Sequence, residues 1–328
     1  MRIAVADVGG THARFAIAEM DSGRVASLSE PITLGTNDHA SFQTAWRDFC
    51  AQNPGPEPDR LSVAFAGPVE GEVLKLTNNP WVIRPALATE KLGVKHFTIV
   101  NDFAAIAHAV GALPDDAFLH ITGPEGPFPK HGVTSVVGPG TGLGVAQLLK
   151  TPEGNMHVIA TEGGHIDFAP LDSLEDRMLQ RLRKRYVRVS IERVACGSGL
   201  VNIYEALGAM EGKPVHEMDD IELWTAALEG SDPLAAAALD RFFLTLGAVS
   251  GDLALAHGSN AVVLAGGLGY RIRERFERSG FAGRFVAKGR FERRMQGIPV
   301  KLVTHEQPGL YGAAVAFVKE HGAKEQGV

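Results

Sequence analysis

The sequence predicts an α/β protein with a large share of parallel sheet. Three observations carry that expectation. Apolar runs of strand length alternate with longer stretches in which apolar residues recur at three- and four-residue spacing. The 38 glycines are dispersed, with no Gly-X-Y period, and exceed the roughly 7% background of ordinary proteins. A unit of apolar strand, Gly/Thr turn and second apolar strand occurs twice. Its copies are Ala6-Asp7-Val8-Gly9-Gly10-Thr11 and Val137-Gly138-Pro139-Gly140-Thr141-Gly142-Leu143-Gly144. That repetition suggests a duplicated fold whose halves present their turns to one ligand, although two ordinary hairpins would read the same way.

The elements follow in order. Residues 3–7 and 13–19 read as strands around the turn Val8-Gly9-Gly10-Thr11. Residues 39–51 read as a helix, because Phe42, Trp46 and Phe49 share a face, and Asn53-Pro54-Gly55-Pro56 ends it. Residues 61–66 form a strand closed by Gly67-Pro68. A strand at 97–100 runs into Asn101-Asp102, and 103–110 reads as helix. Strands at 133–137 and 144–149 flank the second turn. Helices follow at about 174–185 and 233–257, then a strand at 261–265 closed by Gly266-Gly267, then a last helix from about 309 to 320. A chain of 328 residues suggests two domains at about 100–200 residues each. The break Gly111-Ala112-Leu113-Pro114-Asp115-Asp116 reads as the boundary.

Composition removes several classes of function. The net charge of −6 argues against a nucleic-acid partner, which needs a basic surface to displace counterions. The two cysteines, Cys50 and Cys196, form no Cys-x-x-Cys pair, so neither a disulfide framework nor a cysteine zinc site is expected. Ile3-Ala4-Val5-Ala6 is too short for a signal peptide. No run approaches 18 consecutive apolar residues. The expectation is a cytoplasmic protein with no membrane and no nucleic-acid partner.

Glycine turns of this kind suit phosphate, because backbone N–H groups can converge on its oxygens without a Cβ in the way and some positions need positive φ. Thr11 and Thr141 add hydroxyls. Asp7 would repel a bare phosphate and makes sense with magnesium between them, usually through water. Equally, both turns could simply close hairpins. Other signatures fail: there is no Gly-Lys-Ser/Thr, so no Walker A loop, and after Gly140-Thr141-Gly142 the third position of a G-x-G-x-x-G motif is Val145. His-Glu-x-x-His and Gly-x-Ser-x-Gly are also absent.

With Asp7-Val8-Gly9-Gly10-Thr11, Gly140-Thr141-Gly142-Leu143-Gly144 and Ala265-Gly266-Gly267 in this order, the chain resembles the sugar kinase/actin/heat-shock ATPase superfamily. Asn101-Asp102-Phe103-Ala104, Glu162-Gly163-Gly164-His165-Ile166-Asp167-Phe168 and Ser190-Ile191-Glu192-Arg193-Val194 narrow the resemblance to bacterial ATP-dependent glucokinases of the hexokinase-like group. The resemblance runs from Asp7 to about Val318. It implies a two-domain actin-like/ribonuclease H-like ATPase fold with a cleft: a small domain of residues 1–112 plus 305–328 and a large one of 113–304. It implies ATP and D-glucose as substrates, magnesium, and a homodimer. Nucleotide contacts would come from Ala6, Asp7, Val8, Gly9, Gly10 and Thr11, from Gly140, Thr141, Gly142 and Gly144, and from Gly266 and Gly267 beside the adenosine. Sugar contacts would come from Asn101, Asp102, Glu162, His165 and Glu192, with Asp102 as catalytic base. His12 stands where the family pattern has Asn, which puts only local hydrogen bonding in doubt. The cysteine-rich zinc motif of the related repressor/open-reading-frame/kinase group is missing.

These residue types suit the chemistry. A sugar hydroxyl needs an acceptor for its proton, and a carboxylate at a strand's C-terminal end can be one. Asn101 and Asp102 would also serve as helix N-caps, and the two roles are compatible. Ionised Glu162 and Glu192 accept hydrogen bonds from vicinal hydroxyls, and His165 can donate one. Against that, Glu162 and His165 could be a polar turn, and Glu192 an exposed acid in a first helical turn. Asn78 and Asn79, before Pro80-Trp81, are further candidates. The basic runs Arg181–Arg188 and Arg271–Arg278 read as solvated faces. A kinase for another hexose such as mannose or fructose, a catalytically silent sugar sensor and an actin-type ATPase module remain as alternatives.

Overall fold

The computed structural model describes residues 1–76, 79–212 and 215–325. The chain divides into two compact units, one of residues 1–114, 158–160 and 305–328, the other of 115–157 and 161–304.

The first unit is built on β1 (Arg2–Val8), β2 (His12–Asp21), β3 (Arg24–Leu28), β4 (Ile32–Gly35), β5 (Arg60–Phe65) and β8 (His96–Asn101). Their order is β3-β2-β1-β5-β8, with β4 on β2. β1 and β2 are an antiparallel hairpin, whereas β1, β5 and β8 run parallel. β6 (Leu74–Lys75) and β7 (Val82–Ile83) make a separate ribbon. β1 is apolar on both faces because both are covered. Ala4, Ala6 and Val8 join a core with Phe15, Trp46, Phe49 and Trp81, while Ile3 and Val5 join one with Ala105, Leu310 and Phe317. The covering helices are α1 (Phe42–Gln52) on the first side and α3 (Asp102–Ala112) and α11 (Pro308–Glu325) on the second; α2 (Pro85–Leu92) leads into β8. α1 starts at 42 rather than 39 because Ser41 and Thr44 close a capping box there.

The second unit repeats the strand order. β10 (Gly132–Pro139) and β11 (Leu143–Lys150) form a hairpin, and β13 (Ala261–Leu264) and β14 (Val300–Val303) continue parallel from β10. β12 (Met156–Thr161) and β9 (Phe118–Thr122) are the edges of this sheet. The helices are α4 (Ser173–Tyr186), α5 (Gly197–Glu211), α6 (Asp220–Glu229), α7 (Pro233–His257), α8 (Gly267–Arg271), α9 (Phe281–Val286) and α10 (Glu292–Gln296). α7 is long and apolar enough to cross a membrane by length and composition, but 67% of that window is buried within the protein, as in a core helix.

A buried ionic cluster ties three of these helices together. Asp172 caps α4 through the N–H groups of Leu174 and Glu175. Arg241 of α7 reaches Asp172 at 2.6 Å and Glu175 at 2.8 Å, and Arg284 of α9 reaches Asp172 at 2.6 Å. The Glu175 side chain is only 2% exposed. Burial opposes ionisation of Asp172, but the Glu175 N–H and the guanidinium groups outweigh it and hold its carboxyl below the usual range. A depressed carboxyl stabilises the fold above its unfolded-state pKa and loses that contribution as pH falls through the folded value. Arg241→Met should therefore destabilise the protein near neutral pH, by less than the ~3–5 kcal/mol that a wholly unpaired buried carboxylate costs, because Arg284 still reaches Asp172 and Glu175. The penalty should shrink in acid, and denaturant titrations across the pH range measure both effects.

Candidate active site

In the first unit, Val8 lies in register with Phe65, and Phe65 with Asn101. The glycine turn after β1 and the Asn101-Asp102 pair after β8 thus share one edge of the sheet, two strand spacings or roughly 10 Å apart. Such edges, at the C-terminal ends of parallel strands, are where α/β proteins place ligands.

The hairpin register Val8↔Ala13 leaves Gly9 to His12 in the turn region, and the Gly9 N–H donates to the His12 carbonyl at 3.0 Å. The Gly9 N–H is therefore used within the turn. Thr11 is exposed. Thr36, 1% exposed, donates its hydroxyl to the Gly10 carbonyl at 2.7 Å and its N–H to the Thr11 carbonyl at 3.0 Å. Asn79 donates to the same Gly10 carbonyl at 3.3 Å, whereas Asn78 lies outside the described residues. Asp7 ends the buried run of β1 with a side chain 29% exposed, 3.8 Å from Arg14, its partner across the hairpin. Burial pushes the Asp7 carboxyl up, and Arg14 opposes the shift.

Asn101 caps α3, its Oδ1 accepting from the Phe103 and Ala104 N–H groups at 3.0 and 3.1 Å. Its Nδ2 donates to the Gly67 carbonyl at 3.2 Å. At most one N–H of this amide remains for a ligand. Asp102 is the first residue of α3, and one of its oxygens accepts from the Phe103 N–H at 2.8 Å.

In the second unit the remaining candidates gather round the turn between β10 and β11. The Gly140 N–H donates to the Gly142 carbonyl at 2.8 Å, again inside the turn, and the Gly140 carbonyl accepts from Gly197 at the start of α5. Thr141 is exposed. Glu192 sits in a 3-10 turn, Ile191–Arg193, where Ser190 precedes it without a side-chain cap. Its Oε2 accepts from the Leu143 N–H at 2.9 Å. A Cβ on Gly142 would collide with that oxygen, so glycine here permits the carboxylate to seat against the turn. Glu192 is thus not simply an exposed first-turn acid. Glu162 precedes a second 3-10 turn, Gly163–His165, packed against Leu143 and Val145. The side chains of Glu162 and His165 are exposed and 3.9 Å apart. Gly266 follows β13 beside the Pro139 carbonyl with φ of +90°, and α8 begins at Gly267. It is the one candidate glycine whose backbone demands positive φ; Gly9, Gly10, Gly140, Gly142, Gly144 and Gly267 do not.

Sequence reasoning missed Thr36, Arg14 and the partnership of Glu192 with Leu143. Arg14 follows from the hairpin register once the turn is known. Thr36 lies 25 positions beyond Thr11 and carries no local signal. Among the described residues, no group of three or more His, Cys, Asp or Glu is placed to hold a metal ion.

The Glucokinase family model matches residues 4–320. A glucokinase of Zymomonas mobilis is 58% identical over 325 residues, covering 99% of this chain and all of that protein. The crystal structure of a glucokinase from an Antarctic psychrotroph superimposes with a TM-score of 0.84 at 33% identity, covering 97% of this chain and 99% of the other. A glucokinase of Streptomyces griseus, solved with glucose and AMPPNP, shares the fold with a TM-score of 0.64 at 18% identity, covering 97% and 100%. With the same two-domain actin-like ATPase architecture and this extent of similarity, the chain belongs to the glucokinase family of ATP-dependent hexose kinases.

Proposed function

We propose that this chain transfers the γ-phosphoryl group of ATP to the 6-hydroxyl of D-glucose, with Asp102 accepting the hydroxyl proton. The observation that carries the assignment of Asp102 is its position: a carboxylate after β8, on the sheet edge that also bears the Gly9–Thr11 turn after β1. The sugar oxygen attacks phosphorus, its proton passes to the Asp102 carboxylate, the bond to the bridging oxygen breaks, and ADP leaves. Such transfer asks the protein mainly for positioning and charge neutralisation.

The Gly9–Thr11 and Gly140–Gly144 turns are the phosphate elements of this reading. Because the Gly9 and Gly140 N–H groups are engaged inside their turns, the donors to phosphate are the later groups, with the Thr11 and Thr141 hydroxyls. Gly266 and Gly267 would flank the adenosine. Asp7 fits a magnesium ion: it is a partly shielded carboxylate beside the turn, and Arg14 stands 3.8 Å from it, beyond hydrogen-bond distance. Magnesium is commonly held by one or two carboxylates, water and substrate phosphates rather than by a protein cage. When bound it would neutralise phosphate charge, with Asp7 holding its water.

Asn101, Glu162, His165 and Glu192 form the sugar-binding set. One Glu192 oxygen is committed to Leu143, and on this reading the other accepts from a sugar hydroxyl.

ADP formation with magnesium-ATP and a panel of glucose, mannose, fructose, N-acetylglucosamine or no sugar tests the reading. Turnover should depend on glucose. Faster turnover of another hexose would move the substrate, and ADP release without sugar would indicate an ATPase. Asp102→Asn should lower kcat by at least ~10²-fold with a much smaller loss of glucose affinity; near-full turnover would remove Asp102 as the base. Glu192→Ala should weaken glucose binding and shift the Leu143 amide resonance. Glu192→Gln, which keeps an acceptor for Leu143, should leave that resonance nearly in place.

A further inference from the structure

The Thr36 contacts set the direction of a peptide plane. In a trans peptide the carbonyl and the following N–H point opposite ways. Thr36 pulls the Gly10 carbonyl to one side through its hydroxyl, so the Thr11 N–H is aimed to the other. It holds the next carbonyl, that of Thr11, through its own N–H. Two carbonyl oxygens that could otherwise repel a phosphate are thereby engaged by Thr36. Thr36 sits in a short 3-10 turn, Thr36–Asp38, directly after β4, whose Gly35 pairs with His12 at the end of the glycine turn.

His39 fixes this segment. Its Nδ1 lies 3.1 Å from the Gly35 carbonyl and its Nε2 2.9 Å from Asp48 Oδ2 of α1. Both partners are acceptors, so both ring nitrogens must donate, and only the imidazolium does that. The side chain is 15% exposed, and the Trp81 indole N–H donates to the His39 carbonyl at 2.9 Å. The groups facing the ring are the Gly35 carbonyl from β4, Asp48 from α1 and, at longer range, Asp38 from the 3-10 turn.

We propose that Thr36 is a positioning residue for the phosphate turn and that protonated His39 locks it there, so that ATP binding weakens when His39 becomes neutral. The proposal rests on the Gly9–Thr11 turn being a phosphate element. Consistent with it, the Gly35 hydrogen bond and then the Asp48 contacts raise the His39 pKa above its ordinary value, against burial. With a raised pKa the interaction is complete below the unfolded-state value of about 6.5 and is lost as pH rises through the folded one.

The test combines steady-state kinetics with ¹⁵N NMR of the histidine rings. Thr36→Val should raise KM for ATP about tenfold, the worth of one well-made hydrogen bond, and leave KM for glucose nearly unchanged; Thr36→Ser should restore it. KM for ATP should rise with pH through the His39 pKa read by NMR. Asp48→Asn should move both that pKa and the kinetic step to lower pH, and His39→Gln should abolish the step. A His39 that titrates at or below the ordinary value, or a KM for ATP indifferent to Thr36→Val and to this pH window, overturns the proposal. Gly10→Val separates the two levels. If it destroys ATP binding while the Thr36 and His39 results are flat, only this proposal fails. If it too leaves KM for ATP unchanged, the phosphate-turn reading fails with it.

Discussion

The parallel pairing of β1, β5 and β8 is the constraint on which the first unit depends. Parallel strands put all their C-terminal ends on one edge, and registers Val8↔Phe65 and Phe65↔Asn101 align those ends to the residue. A glycine turn after one strand and a capped carboxylate after another then become neighbours without any sequence proximity. The same arrangement in the second unit, β10 parallel to β13, places Gly266 beside the Pro139 carbonyl at the second glycine turn. The apolar alternation that buries both faces of β1 is what fixes the registers, since a slip of one residue would exchange Ile3 and Val5 with Ala4 and Ala6 between two differently shaped cores.

Each turn is held from behind by a polar residue remote in sequence. Thr36 binds the carbonyls of the first, and Glu192 binds an N–H of the second. A glycine turn left to itself samples many conformations, and the entropy of fixing it on a phosphate would be charged against binding. Prior hydrogen bonds remove part of that cost. Glu192 is the more consequential of the two, because a carboxylate assigned to the sugar also touches the turn assigned to the nucleotide.

Recognition of the helices depended on what their first turns contain. The reading of a helix at about 233–257 agrees with the observed Pro233–His257, which Asp232 caps and Gly258, in the left-handed region, ends. Residues 197–211 were not, although they make a helix of comparable importance. Their first turn, Gly197-Ser198-Gly199 after Cys196, has poor helix propensity and no side-chain cap. That helix is stabilised by burial of Leu200, Ile203, Tyr204 and Leu207 in the large core and by the Gly197 N–H on the Gly140 carbonyl. Short strands such as 32–35 and 300–303 escaped notice because a polar residue interrupts each four-residue run, whereas the equally short 261–264 is apolar throughout and closed by Gly266-Gly267.

The α/β class, the two hairpins with their glycine turns, and the Asn101 cap beside Asp102 were all readable along the chain. All of these rest on local rules: residue period, turn chemistry and the preference of Asn for an N-cap. The same motifs in chain order were enough for the resemblance to the glucokinases. Only the tertiary structure decided which N–H groups the turns keep for themselves, that Thr36 and Glu192 brace them, and that both nitrogens of His39 meet acceptors. The bracing side chains of Thr36 and Glu192 reach partners 26 and 49 positions away along the chain. Such contacts follow from how strands and turns are brought together, and no spacing along the chain encodes them.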